Sequence, residues 1–457
     1  AVYEGGLLGF DAALALESRH FAACAMSQEA RNLVDTLWFQ RRAIERGASR
    51  PAGEPPATVR RLGVLGAGMM GAGIAHVAAR AGIDVVLLDT SPDNAVRGRL
   101  HAQALVDKAV AAGELTSAQR DAVLARITPT VQFEDLAGCE LVVEAVFEDR
   151  AVKAGVTRQA EARLDADAVF ASNTSTLPIT GLAQASARPA RFIGLHFFSP
   201  VERMPLVEII VGERTDAATL ARGFDFVRQI GKTPIVVNDS RGFYTSRVFA
   251  TYLMEAMAML REGVHPRHVE AAGLQAGMPM PPLALQDEVS LTLALHVIDQ
   301  ARRDFAAEGR PCPAHPAEAV LRQMCEIGRI GRKANLGFYD WSDEGRRLWP
   351  GLATMFPVAA RQPPQRELVD RLLFVQANEA ARCVEEGVLR SVADANVGAI
   401  LGWGFAPFHG GPLQFINAMG ARRFVGRARE LAAAHGARFE PATVVVNLAE
   451  RNGVFED

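Results

Sequence analysis

A chain of 457 residues is too long for one typical domain and suits two to four. With 49% hydrophobic residues, 22% charged residues and a net charge of −3, it describes an ordinary globular protein with ample core and no basic stripe for nucleic acid. The five cysteines (Cys24, Cys139, Cys312, Cys325, Cys383) form no C-x-x-C pair, which argues for reduced thiols in a cytoplasmic compartment and against a disulfide framework or zinc ribbon. No apolar run approaches the roughly 18 residues of a transmembrane segment, and no signal peptide is visible. The opening "AVYEGG" lacks a methionine and reads as mid-helix or linker sequence, as in a piece of a longer polypeptide.

Residues 1–46 carry helical spacing, with Leu14, Phe21, Ala25, Leu33, Leu37 and Trp38 recurring every three to four positions. "GASRPAGEPPATVR" then supplies Gly and Pro at the density of a linker. Seven short apolar runs follow, at 61–66, 84–89, 140–146, 167–173, 191–197, 206–211 and 233–238, separated by helical stretches. That alternation predicts βαβ units and a mostly parallel, doubly wound sheet. Beyond Gly242 the β signal gives way to helical patterns. There "RVFATYLMEAMAMLREGV" (247–264) aligns with "RLLFVQANEAARCVEEGV" (371–388) at a constant offset, matching the arginine, the Glu-Ala pair and the Glu-Gly-Val end. A helical unit has been duplicated, and the two copies are expected to pack against each other.

The stretch from Arg61 to Ser91 carries the most specific chemistry. Gly66, Gly68 and Gly71 form G-x-G-x-x-G directly after an apolar strand and at the head of a helix. The first allows a tight turn, the second lets the backbone approach a pyrophosphate, and the third lets helix and strand pack closely. The helix N-terminus offers unpaired N–H groups to the phosphates. The second strand ends at Asp89, where an acid accepts hydrogen bonds from the adenosine ribose, and Thr90 and Ser91 follow in place of an arginine. NAD is therefore expected over NADP. The fold class that follows is α/β plus all-α: a Rossmann-type domain at 60–240 after a helical linker segment (1–59), then helical repeats at 241–345 and 346–457.

A dinucleotide site gives meaning to His196 and Glu208, two polar residues inside apolar strands. Hydride removal from a secondary alcohol needs a base for the hydroxyl proton, which histidine can supply. A carboxylate beside it would fix the ring tautomer and stabilise the imidazolium. In "ASNTSTLP", Asn173 and Thr176 read as a helix cap, and Ser175 as a substrate hydrogen bond at the carboxyl edge of the sheet.

Together, "GAGMMGAGIA", "VVEAVFED", "FASNTSTLPIT", "RFIGLHFFSPVERMPLVEII" and "GRIGRKANLGFYDW" resemble the 3-hydroxyacyl-CoA dehydrogenase family, in the family's order. The duplicated helices and the first twenty-odd residues resemble the dehydrogenase half of multifunctional fatty-acid oxidation α-subunits. The resemblance implies NAD-dependent oxidation of an L-3-hydroxyacyl-CoA to the 3-oxoacyl-CoA in fatty-acid β-oxidation. It also implies an enoyl-CoA hydratase domain, absent from this sequence, and a thiolase β-subunit as partners. It makes His196 the catalytic base, Glu208 its partner, and Ser175 a contact to substrate and cofactor. Met69, Met70 and Ala145 join the glycines and Asp89 at the cofactor. Glu148 and Lys153 match residues that touch NAD and the CoA ester, Lys333 a nicotinamide-side contact, and Lys108 a CoA phosphate contact. Ser246 stands where the family usually has asparagine, and Asn335 where glycine is common. The alternative is an NAD- and CoA-binding scaffold arm of a multienzyme complex with weak activity of its own. A hydroxyisobutyrate-type relative is disfavoured, because its base is usually a lysine on the helix joining the domains and 243–262 holds none.

Overall fold

The computed structural model describes all 457 residues, in two compact units. The sheet unit comprises Arg42–Arg247 and Glu386–Trp403. The helical unit comprises Ala1–Arg41, Val248–Glu385 and Gly404–Asp457.

The sheet has eight strands: β1 (Arg61–Leu65), β2 (Asp84–Leu88), β3 (Ile127–Thr130), β4 (Leu141–Glu144), β5 (Val169–Ser172), β6 (Phe192–Phe197), β7 (Leu206–Val211) and β8 (Thr233–Asn238), in the order β3-β2-β1-β4-β5-β6-β7-β8. The seven expected strands are all present. The eighth, β3, escapes a sequence reading because "ITPT" is short and carries Pro129; at the edge of the sheet a proline costs no ladder bond. Every pairing is parallel except β6 with β7. Val64, Val143, Ala171, Ile193 and Ile209 form the centre of the core, covered by the helices that connect the strands.

Two segments join this unit from outside the expected boundaries. The Gly- and Pro-rich stretch after residue 46 is tied down. Arg50 donates to both carboxylate oxygens of Asp225 at 2.8 and 2.9 Å, and to the carbonyls of Glu54 and Pro55 at 2.8 Å. The segment from Glu386 to Trp403 packs here too, although it belongs to the second repeat. Asn238 Nδ2 donates to Gly387 O at 2.7 Å, Leu389 bridges Val237, and Gly398 lets the helix Val392–Trp403 lie against Ile235.

In the helical unit the chain is not free of β structure. Tyr339–Ser342 (β9) and Gly345–Leu348 (β10) form an antiparallel hairpin, too short and too polar to register as strands by composition. The helix Phe10–Ala25 forms as its spacing predicts, yet no residue in it is buried, and Phe10 is 80% exposed. The next segment is docked: Asn32 Nδ2 donates to Phe408 O at 3.0 Å and Thr36 Oγ1 to Gly410 O at 2.7 Å.

The duplication appears as a reciprocal exchange of ion pairs. Arg371 of the second copy bonds Glu262 of the first at 2.7 Å, and the equivalent Arg247 of the first copy bonds Glu386 of the second. Each arginine reaches the glutamate of the other copy, the pattern of an isologous contact. The copies have diverged around this frame. Arg371 is 0% exposed and also holds the buried Glu255, whose other oxygen accepts from Arg438 at 2.6 Å.

Removing one partner of a buried ion pair strands the other charge, at a cost of about 3–5 kcal/mol. Arg438 stays on Glu255, so Arg371→Ala should lose about 3 kcal/mol, the lower end of that range. Urea unfolding of the variant measures it; a loss below about 1 kcal/mol would mean that the pair is not a structural tie.

Candidate active site

The dinucleotide cradle is forced by sterics. After β1 the chain turns at Gly66, with φ at +94°, where a Cβ would sit 2.7 Å from Ala145 O. At Gly71 a Cβ would lie 1.7 Å from Gly66 O, so neither glycine can be replaced without moving backbone. Gly68 precedes the helix Met69–Arg80 and has open space where its side chain would be. No side chain caps that helix, and its first intrahelical bond runs from Ala72 N–H to Gly68 O at 2.8 Å. The N–H groups of Met69, Met70 and Gly71 therefore precede the ladder and are available to an anion. An open glycine beside an uncapped helix N-terminus fits a dinucleotide pyrophosphate.

Asp89 closes the cradle. Its Oδ2 accepts from Ala67 N–H at 2.7 Å, and its Oδ1 from Thr90 N–H at 2.7 Å and Asn94 Nδ2 at 2.9 Å. Burial opposes its ionisation, but these bonds prevail and hold the carboxyl below its ordinary range. Oδ2 keeps a lone pair for a ribose hydroxyl. The structure corrects one expectation: a cation is close, because Arg97 donates to the Asn94 side chain that itself bonds Asp89.

The β6–β7 pair carries the dyad. Its antiparallel register sets His196 directly across from Glu208, and Nδ1 lies 2.9 Å from Oε2. His196 is 5% and Glu208 0% exposed. The other Glu208 oxygen accepts the N–H groups of Tyr244 and Thr245, both at 3.0 Å, while Thr245 Oγ1 donates to Oε2. A carboxylate so surrounded only accepts, so Nδ1 carries the imidazole hydrogen and Nε2 keeps its lone pair. The rings of Phe198 and Phe243 flank the imidazole, at 4.5 and 6.1 Å between centroids. Ser246 follows Thr245, half-buried, in the first turn of the helix Thr245–Arg261.

At the carboxyl ends of β4 and β5 a second polar cluster forms. Lys153 is not a solvated helix charge. It is 2% exposed, and its ammonium bonds Glu144 at 2.8 Å and Glu148 at 3.1 Å. Glu144 also accepts from Ser172 Oγ and Val146 N–H, both at 2.8 Å. Glu148 reaches outward to Thr174 Oγ1 and to Ser175 N–H at 3.2 Å. Burial pushes its carboxyl up, but Lys153 and the Thr174 hydroxyl outweigh that and leave it below its ordinary range. The exposed member of this chain is Ser175.

The cap expected of Asn173 and Thr176 is made elsewhere. Asp239 accepts Ile179 N–H at 2.9 Å and Thr180 N–H at 2.7 Å, capping the short helix Ile179–Leu182 from across the sheet. Asn173 instead accepts Phe197 N–H at 2.8 Å, fastening the residue after His196 to the end of β5. Lys108 lies exposed in the last turn of the helix Pro92–Ala111, roughly 24 Å along its axis from the Asp89 end.

Lys333 belongs to the helical unit and is exposed in the turn Arg332–Ala334. That turn is braced from below. Asp287 accepts Phe338 N–H, Tyr339 N–H and Trp341 Nε1 between 2.8 and 2.9 Å, and Tyr339 donates to Glu270, whose carboxyl burial pushes up to about 7. Asn335 adopts φ +58°, the left-handed conformation that glycine takes freely and asparagine tolerates. Its departure from the common glycine is thus a turn adjustment.

Family profiles match the sheet domain and the first part of the helical region: 3-hydroxyacyl-CoA dehydrogenase, NAD binding domain, over residues 61–240, and its C-terminal domain over 242–341. The chain belongs to the 3-hydroxyacyl-CoA dehydrogenase family. It is similar to (S)-3-hydroxybutyryl-CoA dehydrogenase from Ralstonia eutropha, with 34% identity and TM-score 0.59 over 63% of this chain and 100% of that one. Likeness to 3-hydroxybutyryl-CoA dehydrogenase from Escherichia coli extends over 87% of this chain and 99% of that one, at 26% identity and TM-score 0.75. The dehydrogenase part of multifunctional enzyme 1 from C. elegans shares the fold over 91% of this chain and 98% of that one, at 22% identity and TM-score 0.63. The enzyme is an NAD-dependent dehydrogenase of this family, and no helix in it is long and apolar enough to cross a membrane.

Asp89 should enforce the choice of NAD, because a 2′-phosphate would meet its carboxylate and forfeit the ribose bond. In Asp89→Ala the repulsion goes while Asn94 and Arg97 stay, so the NADH-over-NADPH ratio of kcat/KM should fall by about tenfold or more. Steady-state rates with both cofactors measure it, and an unchanged ratio would remove Asp89 from the adenosine site.

Proposed function

We propose that the enzyme oxidises an L-3-hydroxyacyl-CoA to the 3-oxoacyl-CoA, as a step of fatty-acid β-oxidation, with His196 as general base. The observation that carries this reading is the Nδ1–Glu208 bond at 2.9 Å, which leaves Nε2 as the acceptor in a dinucleotide-binding fold. Bound NAD supplies the hydride acceptor. His196 Nε2 takes the C3 hydroxyl proton as the hydride leaves C3 and the carbon–oxygen bond becomes a carbonyl. The imidazolium formed is stabilised by Glu208, which stays ionised because four donors hold it. On this reading Ser175, exposed at the carboxyl edge of the sheet, and Ser246 hold the hydroxyl oxygen. Glu148 orders the Ser175 turn, and the buried Lys153 keeps Glu148 ionised, so on this reading Lys153 serves the ligand through its neighbour.

Support for the substrate class comes from relatives named for 3-hydroxybutyryl-CoA, one of them 34% identical. Support for partners of the hydratase and thiolase kind is the helix Phe10–Ala25, whose Phe10, Leu14 and Phe21 are exposed. A cytoplasmic setting is supported by five free cysteines. Lys108 and Lys333 remain proposed contacts to CoA and the nicotinamide side on the resemblance alone.

His196→Gln should lower kcat by roughly 10²–10⁴ with little change in NAD affinity. Turnover of acetoacetyl-CoA with NADH measures it, and a variant that keeps more than a tenth of the parent rate would make His196 a structural residue. One observation favours the scaffold reading, the serine at position 246 in place of the family's asparagine. A serine can still bond the substrate directly or through one water, so Ser246→Asn should change turnover by less than about tenfold. A parent with negligible turnover, rescued several hundredfold by this substitution, would establish the scaffold reading instead.

A further inference from the structure

We infer that Thr245 is a positioning residue that sets how strongly Glu208 draws on the His196 proton, and so sets the pH range in which the base works. The inference rests on the proposed role of His196. It starts from the geometry of one oxygen: Glu208 Oε2 receives both His196 Nδ1, at 2.9 Å, and the Thr245 hydroxyl. The hydroxyl stands 3.5 Å from Nδ1, too far for a working hydrogen bond to the ring, so its proton goes to the carboxylate. Two donors then share one acceptor in a site with Glu208 fully buried. A hydrogen bond onto an ionised carboxylate stabilises its charge and weakens its attraction for a neighbouring cation. Thr245 therefore works against the imidazolium and for the neutral ring that can accept a proton.

The backbone enforces this contact. Gly242 and Phe243 both adopt positive φ, +73° and +52°. For a phenylalanine that is a strained conformation, and it is held in place by burial of the ring. This turn presents the Tyr244 and Thr245 N–H groups to Glu208 Oε1 and the Thr245 side chain to Oε2. The other neighbours are apolar or already partnered, and the helix Val392–Trp403 meets this region through Gly402, near Phe198 and Thr245. Phe198 and Phe243 are apolar, Asn173 is taken by Phe197 N–H, and Glu148 is taken by Lys153 and Thr174.

Thr245→Val keeps the shape and the two N–H bonds and removes only the hydroxyl. In the direction of alcohol oxidation, the acidic limb of the kcat/KM profile should move to higher pH by about half to one unit. Activity at pH 6 should fall several-fold relative to the activity of the same variant on its alkaline plateau. Thr245→Ser, which retains the hydroxyl, should restore the parent profile. If Thr245→Val does not accumulate as folded protein, Thr245→Ala carries the same comparison. A valine profile that overlays the parent, or a serine variant displaced as far as the valine one, would overturn the inference and leave the base assignment standing. His196→Gln run alongside separates the two: if it keeps the parent's acidic limb and rate, the reading of His196 fails instead.

Discussion

A fully buried carboxylate, Glu208, holds this site together. An ionised group removed from water is tolerated only when it is paired and hydrogen-bonded. Here four donors meet that demand, and they come from two places in the chain: the imidazole of β6, and the two N–H groups and one hydroxyl at the start of the helix Thr245–Arg261. The charge thus binds two strands and a helix terminus into one rigid object. Helix N-termini attract anions through their unpaired N–H groups, so the fold offers Glu208 its natural partner. The orientation of the His196 ring is a by-product of satisfying the acid.

That object exists because one strand pair runs the other way. In a parallel sheet β6 and β7 would be joined by a crossover of a dozen or more residues. Here residues 198–205 turn the chain back at once, and Lys232 holds the turn by donating to the Val201 and Met204 carbonyls at 2.6 Å. Burial lowers the Lys232 ammonium to about 8. The same logic of internal satisfaction governs Glu144, Lys153 and Glu148, where a buried cation holds two carboxylates and the outer one orders the Ser175 turn. Both clusters sit at strand ends, His196 and Glu208 on β6 and β7, and Glu144 on β4, the cation reaching it from the helix Arg150–Glu161. Ligands of open α/β sheets bind at the carboxyl ends of their parallel strands.

The duplicated helices show how a copied sequence acquires two jobs. The reciprocal pairs, Arg371 with Glu262 and Arg247 with Glu386, preserve the exchange expected when identical copies meet. Divergence then enlarges one of them. Around Arg371 the pair grows into a network with Glu255 and Arg438, sealed from solvent at its centre, while Arg247 meets the more exposed Glu386. The helix Val392–Trp403 has meanwhile been recruited to the sheet unit, where the Tyr244 hydroxyl donates to Ala395 O at 2.8 Å.

Much of this was written in the sequence. Gly66 and Gly71 marked the cradle because sterics leave no room for a side chain there, Gly68 by its spacing between them, and Asp89 by its place at the end of the second strand. Apolar runs marked seven of eight strands, and a histidine and a glutamate inside two of them stood out against the run. Thr245, Asp239 and Glu144 did not stand out, since a threonine beside Ser246, or an acid with no glycine motif at a fixed spacing before it, has no local pattern to distinguish it, and Asn173 stood out only as a helix cap. Their roles depend on which distant N–H or ammonium arrives beside them. The antiparallel reversal was equally hidden, because strand direction leaves no trace in hydrophobic periodicity. Local backbone geometry and burial determined the elements and the cofactor cradle from the sequence alone. Only the tertiary structure decided which donors meet at Glu208, because satisfying a buried charge is a property of several chain segments at once.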